Sequence, residues 1–436
     1  MSVQYRFGRN VPSGPTSMAI LKKPGEDRPS TARKRRLWSI GPAPRPSAQW
    51  FEGYLILEEL PTDLGLMIFQ WYRGVLLWMD VRQEEAQGLF MPTGEDLEVV
   101  PELLGVRPVF VGLIETPEGV QRETLCSACS LVSEWASTMG FIATSVQFSE
   151  AAALLDPRDP DLCFRAGRAN RHFVAYDRAV LWFQRGTGIA RRSANWTAYI
   201  DCWLGWGNLE IARGRYNEAL RQLNRAYRAA TKYNLPALGA AAQHDMFMLA
   251  VDRQNFGEAY QHALAALALY DSDDPNYPYL IHDLAQTWAL DGYGALALPL
   301  LVAMRRIIVV PSAQIQIEGN IAGAAGQNGD MDTFFSAWDY VSANATKPLP
   351  YVAAALVSVA EGAYALKLYR QAAEAATTAL RFAKERQEPS EEHRALALLE
   401  NLRLGEPPPA LRVPPSELRD LARTLVAQLN ARAEQR

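Results

Sequence analysis

One segment, from Trp203 to Ala226, limits the possible folds of this chain more than any other. It contains two helical patterns, which are separated by the turn signal Arg213-Gly214-Arg215. In the second pattern, Ala219, Leu223 and Ala226 recur at spacings of four and three residues, as one face of a helix requires. Small residues at 207, 219 and 226 allow two antiparallel helices to approach closely. Because one such hairpin cannot bury both of its faces, the pattern predicts flanking copies.

Copies of the pattern are present on both sides of this segment. The equivalent place in the second helix falls at Ser145, Ala179, Ala219, Ala259, Ala297, Phe334 and Ala372. The spacings between these positions are 34, 40, 40, 38, 37 and 38 residues. Gly, Ala or Ser occupies most of the places where a small residue is expected, with exceptions at Phe247, Met304, Phe334 and Val341. The sequence therefore predicts a stack of seven helical hairpins over residues 121–389.

The pattern resembles the tetratricopeptide repeat (TPR). The resemblance rests on a small residue in the first helix, a glycine turn, an aromatic residue and two alanines in the second helix, which here are Gly207, Gly214, Tyr216, Ala219 and Ala226. It implies an all-α, tetratricopeptide-type α-solenoid, a right-handed superhelix of helix hairpins with an inner groove lined by the first helices. The spacings above 34 imply extended helices, similar to those in the sensor domains of large bacterial transcription activators. The motif is specific for fold and weak for function.

Charge and composition divide the rest of the chain. Residues 1–48 contain ten Lys or Arg and two acids and are rich in Pro, Gly and Ser, which predicts a disordered basic arm. Residues 49–120 are expected to form a helical N-terminal domain that caps the array. This domain is acidic, because residues 49–110 hold eleven acids and three Arg. The arm is then able to fold back onto the acidic surface. Residues 390–436 are predicted to form C-terminal capping helices, and the last helix, from Ser416, covers the end of the array or pairs with a second copy.

Several classes of protein are disfavoured by the sequence. Four cysteines and five histidines are too few for a disulfide framework, and no signal peptide is evident. The best membrane candidate, Leu64 to Met79, is short for a span and contains Gln70 and Arg73, which favours a buried helix. We therefore expect a cytoplasmic protein without membrane contact. The acidic N-terminal domain would repel phosphates, so nucleic-acid contact by the basic arm is the less favoured alternative to a solvated tail.

Candidate ligand-binding residues lie on predicted first helices. Arg165, Arg168 and Arg171 are spaced at i, i+3 and i+6, which forms a basic strip suited to a carboxylate or phosphate group, or alternatively a solvated charged face. The dipeptides His244-Asp245 and His282-Asp283 occupy the same place in adjacent repeats. By the family resemblance, both histidines line the groove, as Asn208 does. The simpler alternative is that these His and Asp side chains hydrogen-bond between neighbouring repeats.

The sequence contains no convincing catalytic or metal site. The CxxC spacing of Cys126 and Cys129 places two small thiols on one helix face, where packing is the expected role. Metal-dependent His-Asp chemistry needs further ligands at set distances, which are missing, and no phosphate loop or nucleophile arrangement stands out. We therefore expect no cofactor, no metal and no enzymatic activity. The predicted function is a protein- or peptide-binding scaffold or adaptor that uses its groove. The alternative is a signal-sensing regulator whose repeats bind a small ligand or peptide and whose basic arm contacts nucleic acid.

Overall fold

The structure is a computed structural model that describes residues 43–44, 53–79, 100–345, 351–385 and 388–434. These residues form nineteen α-helices and two short 3-10 helices, Pro101–Leu103 and Pro117–Gly119, and this part of the chain has no β-strand. The α-helices, in chain order, are α1 Tyr54–Glu59, α2 Thr62–Met79, α3 Arg107–Glu115, α4 Arg122–Met139, α5 Ile142–Leu155, α6 Pro160–His172, α7 Tyr176–Ser193, α8 Trp196–Ala212, α9 Tyr216–Tyr233, α10 Pro236–Asp252, α11 Phe256–Leu269, α12 Tyr277–Leu290, α13 Gly294–Met304, α14 Pro311–Asn328, α15 Met331–Asn344, α16 Val352–Ala365, α17 Tyr369–Glu385, α18 Pro389–Leu404 and α19 Ser416–Glu434.

Helices α4 to α17 form a stack of antiparallel hairpins. Each even-numbered helix from α4 to α16 is the first helix of a hairpin, and it packs against the second helix that follows it. Each second helix also packs against the first helix of the next hairpin. This arrangement is the TPR-like, all-α solenoid that the sequence predicts. It has no single central core, since each hairpin buries its apolar faces against its neighbours.

The turns within the hairpins have the same register as the sequence repeat. Each turn contains one residue with a left-handed backbone, at Gly140, Val174, Gly214, Gln254, Gly292, Gly329 and Lys367. Each lies five residues before the corresponding second-helix position, so the spacings are again 34, 40, 40, 38, 37 and 38. A left-handed residue ends a helix by satisfying its last carbonyl groups, which is why the turn is a fixed feature of the repeat. The left-handed turns therefore recur at the same spacings as the second-helix positions of the sequence pattern.

Small residues allow the close helix contacts that the pattern predicts. A side chain at Gly167 would overlap the ring of Phe183, and one at Gly207 would overlap Leu223. The seven repeated second-helix positions are all buried. The tryptophan- and alanine-rich segment at 203–226 is therefore a packing unit, in which Trp203, Leu223 and Ala226 are buried.

The N-terminal helices share a core with the first hairpins. Trp71 of α2 stacks on Phe110 of α3, and Phe110 contacts Phe148 of α5 edge to face. The carboxylate of Glu59 accepts hydrogen bonds from the backbone amides of Ala143 and Thr144 at the start of α5, at 3.0 and 2.8 Å. Unpaired amides at a helix N-terminus favour such an anion. Residues 1–42, and with them most of the predicted basic arm and its contact with an acidic surface, lie outside the described residues.

The two C-terminal helices have different positions. Helix α18 packs against α17 and α16, as a cap on the last hairpin does. Helix α19 instead lies on α13, so the prediction that it covers the end of the array is wrong. The physical reason is the composition of α13, which is apolar around its whole circumference and needs a cover on its outer side. Ala422, Leu425 and Leu429 of α19 supply that cover.

Helix α2 includes the sequence candidate for a membrane span. Its residues Ile68, Trp71 and Val75 are buried in the protein core, as expected for a buried helix. Within the residues that the structure describes, no helix is both long and apolar enough to cross a bilayer.

Candidate ligand-binding groove

The first helices form one continuous layer of the array. From α6 to α16, each first helix packs against the next first helix, and α16 packs against the cap α18. Successive second helices do not pack against one another to a comparable extent. Within the first-helix layer, the packing is weakest between α4 and α6. A gap therefore opens between the first two first helices, with α5 behind it.

This gap is a pocket of about 230 Å³. It is lined by Ser130, Ser133, Glu134 and Ser137 of α4, by Ile142, Ser145, Ser149 and Ala152 of α5, and by Leu162, Phe164, Arg165, Arg168, Ala169 and His172 of α6. We call it the α4–α6 pocket. Small side chains on α4 and α5 leave the space open, and α6 contributes the positive charge.

The serine hydroxyls of the pocket differ in their hydrogen bonding. Ser133 donates from Oγ to the backbone carbonyl of Ser145 at 2.8 Å, and the two Oγ atoms are 3.2 Å apart. Ser130 donates to the carbonyl of Cys126 in its own helix at 3.0 Å. Ser149 is only 3% exposed, and its buried Oγ has no hydrogen-bond partner in the described part of the chain. A buried hydroxyl without a partner is unusual and leaves one donor available in the pocket.

Two of the three predicted arginines line the pocket. Nη1 of Arg165 lies 3.9 Å from Oε2 of Glu134, and both side chains are exposed, so this ion pair is weak. Arg168 forms no ion pair with any residue that the structure describes. The i, i+3 spacing on α6 therefore places two guanidinium groups on the pocket, and in the described part of the chain Arg168 has no ion-pair partner.

Arg171, the third predicted arginine, has a different environment. Its Nη2 lies 3.0 Å from Nε2 of His172, and because a guanidinium only donates, the imidazole nitrogen accepts. Desolvation and the charges of Arg171 and Arg168 lower the pKa of His172 to about 4, so this histidine is neutral at physiological pH. Burial also lowers the pKa of Arg171, while the nearby Asp245 carboxylate raises it. Arg171 therefore contacts residues of the groove wall, and it is not among the residues that line the α4–α6 pocket.

The remaining candidates belong to a row of hydrogen bonds along the first helices, which we call the polar ladder. Asn208 Nδ2 donates to Asp245 Oδ2 at 2.9 Å, and His244 Nε2 lies 2.8 Å from Asp283 Oδ2. Asn320 Nδ2 donates to His282 Nε2 at 3.0 Å, and His282 Nδ1 lies 3.0 Å from Asp283 Oδ1. Ser358 Oγ donates to Asn320 Oδ1 at 3.2 Å. The ladder connects five successive first helices, from α8 to α16.

The polar ladder determines which candidates can reach a ligand. The named polar atoms of Asn208, His244 and His282 bond to neighbouring hairpins, as in the simpler alternative that the sequence allows. Arg165 and Arg168 retain free donors beside a cavity. The serines of the pocket were not among the predicted site residues. A signal for them exists, because Ser130, Ser133 and Ser137 recur at three- and four-residue spacing on one face of α4.

The cysteine pair of α4 has the environment of packing residues. Cys129 is buried, and Cys126 Sγ lies 3.6 Å from the backbone carbonyl of Ala152. Burial raises the pKa of Cys126 to about 11, which keeps the thiol protonated. Among the residues that the structure describes, no group of three His, Cys, Asp or Glu is placed to hold a metal ion.

The fold and the groove define a helical-hairpin solenoid with a polar inner face. No protein-family model matches the sequence, and no curated protein is significantly similar to it. The chain is similar to the solved structure of a Rap protein complexed with competence and sporulation factor, with 13% identity, a TM-score of 0.49 and coverage of 75% of this chain and 99% of that one. It is also similar to the apo form of RapI, with 14% identity, a TM-score of 0.47 and coverage of 61% and 99%. A third similar structure is the P58(IPK) TPR domain, with 11% identity, a TM-score of 0.22 and coverage of 74% and 97%.

Proposed function

We propose that this protein is a scaffold or adaptor that binds a protein or peptide along the layer of first helices and anchors it in the α4–α6 pocket. One observation carries the proposal. First-helix packing is weakest between α4 and α6, and the gap there contains a buried hydroxyl and a guanidinium that have no hydrogen-bond or ion-pair partner, respectively, among the described residues. Unused donors in a concave site are typical of ligand recognition.

The size of the pocket supports an anchor for one residue of a longer ligand. A volume of about 230 Å³ corresponds to roughly seven water molecules, at about 30 Å³ each. Pockets for complete drug-sized molecules begin at about 300 Å³. A single acidic side chain or chain terminus fits, and the rest of a peptide then lies along α8 to α16. The polar ladder fixes this wall before binding, so little ordering accompanies association.

The proposal is tested with a display library of random peptides panned against the full chain. Selected peptides are then measured by fluorescence anisotropy with the wild type and with Arg165→Glu/Arg168→Glu. We expect at least a tenfold loss of affinity in this variant, because it reverses both charges of the pocket. The control is Arg370→Glu/Arg381→Glu on α17, where each exposed arginine pairs with an acid of its own helix. The control should bind within about twofold of the wild type.

Two results would overturn the proposal. One is that no peptide, whether unmodified or phosphorylated, binds the wild type. The other is a set of peptides whose affinity falls equally in the pocket variant and in the α17 control. Circular dichroism of each variant confirms that the comparison is made between folded proteins.

A further inference from the structure

We infer that the α4–α6 pocket is a subsite for a phosphate monoester, carried on a serine or threonine side chain of the peptide ligand. This inference rests on the proposed function and specifies the chemistry of its anchor. The pocket combines two arginines, serine hydroxyls and a neutral histidine, and its side chains other than Glu134 either donate hydrogen bonds or are apolar. A site of this composition recognises an anion.

The charge of the pocket fits a phosphate better than a carboxylate. A phosphate monoester carries about −1.5 to −2 at pH 7, and a carboxylate carries −1. Arg165 and Arg168 together supply two positive charges, and only Glu134 lies opposite them, in a weak pair with Arg165. Because His172 is neutral at pH 7, it adds no third charge. When a phosphate dianion enters, it displaces the Glu134 carboxylate from Arg165, and both guanidinium groups then pair with the phosphate.

The hydrogen-bond donors lead to the same conclusion. Each guanidinium presents a planar fork that binds two phosphate oxygens, and the third oxygen needs a further donor. Ser149 supplies one, because the residue lines the pocket and its buried Oγ has no partner in the described residues. A buried hydroxyl without a partner destabilises the protein, and an incoming phosphate oxygen supplies the missing hydrogen bond. Ser133 is not available in the same way, since it donates to the backbone of Ser145.

Ser149 provides a variant that separates binding from folding. Replacing Ser149 by Ala removes the unpartnered hydroxyl and keeps the size of the side chain nearly constant, so the thermal midpoint should stay unchanged or rise. The same change removes one phosphate donor. Loss of affinity without loss of stability is the opposite of what a purely structural serine would show.

The experiment uses the full chain and an array of degenerate peptides whose fixed central residue is phosphoserine, phosphothreonine, glutamate or serine. We expect the two phosphorylated sets to bind at least tenfold tighter than the glutamate set. Inorganic phosphate at millimolar concentration should displace them, and its 31P signal should broaden in the presence of the protein. Ser149→Ala and Arg168→Gln should each reduce the preference for phosphate by at least threefold. The matched controls Ser342→Ala and Arg370→Gln should not change it.

The outcomes distinguish this inference from the proposed function. Equal or tighter binding of the glutamate set would overturn the phosphate subsite and leave a carboxylate anchor, so the scaffold proposal would stand. If inorganic phosphate bound as tightly as the phosphopeptides, the ligand would be a free phosphate compound, and the peptide assignment would be wrong. Absence of 31P broadening and of any peptide binding would overturn both.

Discussion

The imidazole of His244 lies between two hairpins and stabilises the partly buried carboxylate of Asp283. Its Nε2 lies 2.8 Å from Asp283 Oδ2, across the junction between α10 and α12. Desolvation alone would lower the pKa of His244, but the hydrogen bond that it donates to Asp283 and the charges of Asp283 and Asp245 outweigh this effect, so the pKa is raised. Burial would raise the pKa of Asp283, but hydrogen bonds from His244 and His282 hold it well below its usual range. The pair is therefore an ion pair at mildly acidic pH.

This pair should make the stability of the array depend on pH. A histidine whose pKa is raised on folding stabilises the protein fully below its unfolded pKa of about 6.5, and the contribution is lost as pH rises through the folded value. Asp283 stays ionised over this range and adds no slope. A double-mutant cycle of His244→Gln and Asp283→Asn, measured by urea unfolding, should give a coupling of about 1–3 kcal/mol at pH 6 and less at pH 9.

A control for this cycle is His393→Gln on α18, because His393 is exposed and lies outside the polar ladder. It should change stability equally at both pH values. A coupling between His244 and Asp283 that is larger at pH 9 than at pH 6 would contradict the ion pair.

At the scale of helices, α14 and α16 make the closest contact in the array. A side chain at Gly319 would overlap the backbone of Ala355, and one at Gly326 would overlap the backbone of Gly362. Glycine is needed on both helices because their main chains touch. The second helices α15 and α17 lie outside this contact, so backbone proximity is concentrated in the first-helix layer of these hairpins.

The substitution Gly326→Ala should therefore destabilise the C-terminal hairpins. Overpacking a close contact costs about 1–3 kcal/mol, which exceeds the gain of about 0.5–1 kcal/mol in helix propensity from Gly to Ala. The control is Gly257→Ala in α11, where a new methyl group meets almost no neighbour and only the gain remains. Thermal unfolding should show a lower midpoint for the first variant and an equal or higher one for the second. If Gly326→Ala and Gly257→Ala had the same midpoint, α14 and α16 would be able to move apart at little cost, which would contradict the prediction.

The hairpins were predictable from the sequence because their small residues and turns repeat with a fixed register. The turn glycines Gly140, Gly214, Gly292 and Gly329 occupy left-handed positions as the pattern requires. The turns at Val174, Gln254 and Lys367 are also left-handed, although these residues disfavour that conformation. At these three turns the packing of the flanking helices sets the backbone conformation and overrides the intrinsic preference of the residue. A repeat therefore reveals turns that single residues conceal.

The site was only partly predictable, because distances between helices decide which polar groups stay free. The i, i+3 spacing places Arg165 and Arg168 on one face of α6, and both line the α4–α6 pocket. It could not show that Arg171 contacts His172 or that His244 bonds to Asp283. The gap between α4 and α6 depends on three helices at once, so no linear pattern contains it. The position of α19 had an unused signal in the uniformly apolar sequence of α13.

At the scale of the whole described array, residues 406–434 connect hairpins that are distant in sequence. We call them the C-terminal clasp. Tyr364 of α16 donates to the carbonyl of Glu406, and the amide of Arg412 donates to the carbonyl of Gly292 at 3.0 Å. Tyr277 donates to Gln428 Oε1 at 2.6 Å. The clasp therefore runs back from the last hairpin to the beginning of α12.

The clasp also reaches the junction where the array has its weakest packing. The hairpin of α10 and α11 contacts that of α12 and α13 less than most neighbouring hairpins do. Asp291, which follows α12, accepts a hydrogen bond from Tyr260 of α11 at 2.8 Å and pairs with Arg412 of the clasp. One carboxylate thus joins both sides of the junction to the clasp. An array that is locally weak at this junction depends on contacts from elsewhere in the chain.

Weakening the clasp should therefore loosen the middle of the array and leave its N-terminal half unchanged. Leu425→Ala/Leu429→Ala removes two buried side chains from the contact with α13, and each such truncation costs up to about 2–5 kcal/mol. Hydrogen exchange measured by mass spectrometry should accelerate at least tenfold in α12 and α13. Amides in α4 to α9 should exchange as in the wild type, because a solenoid transmits stability mainly between neighbours. The control Leu396→Ala removes an exposed side chain of α18 and should have no effect on α13. Uniform acceleration along all hairpins would show instead that the array unfolds as one cooperative unit, and the clasp would then have no local role.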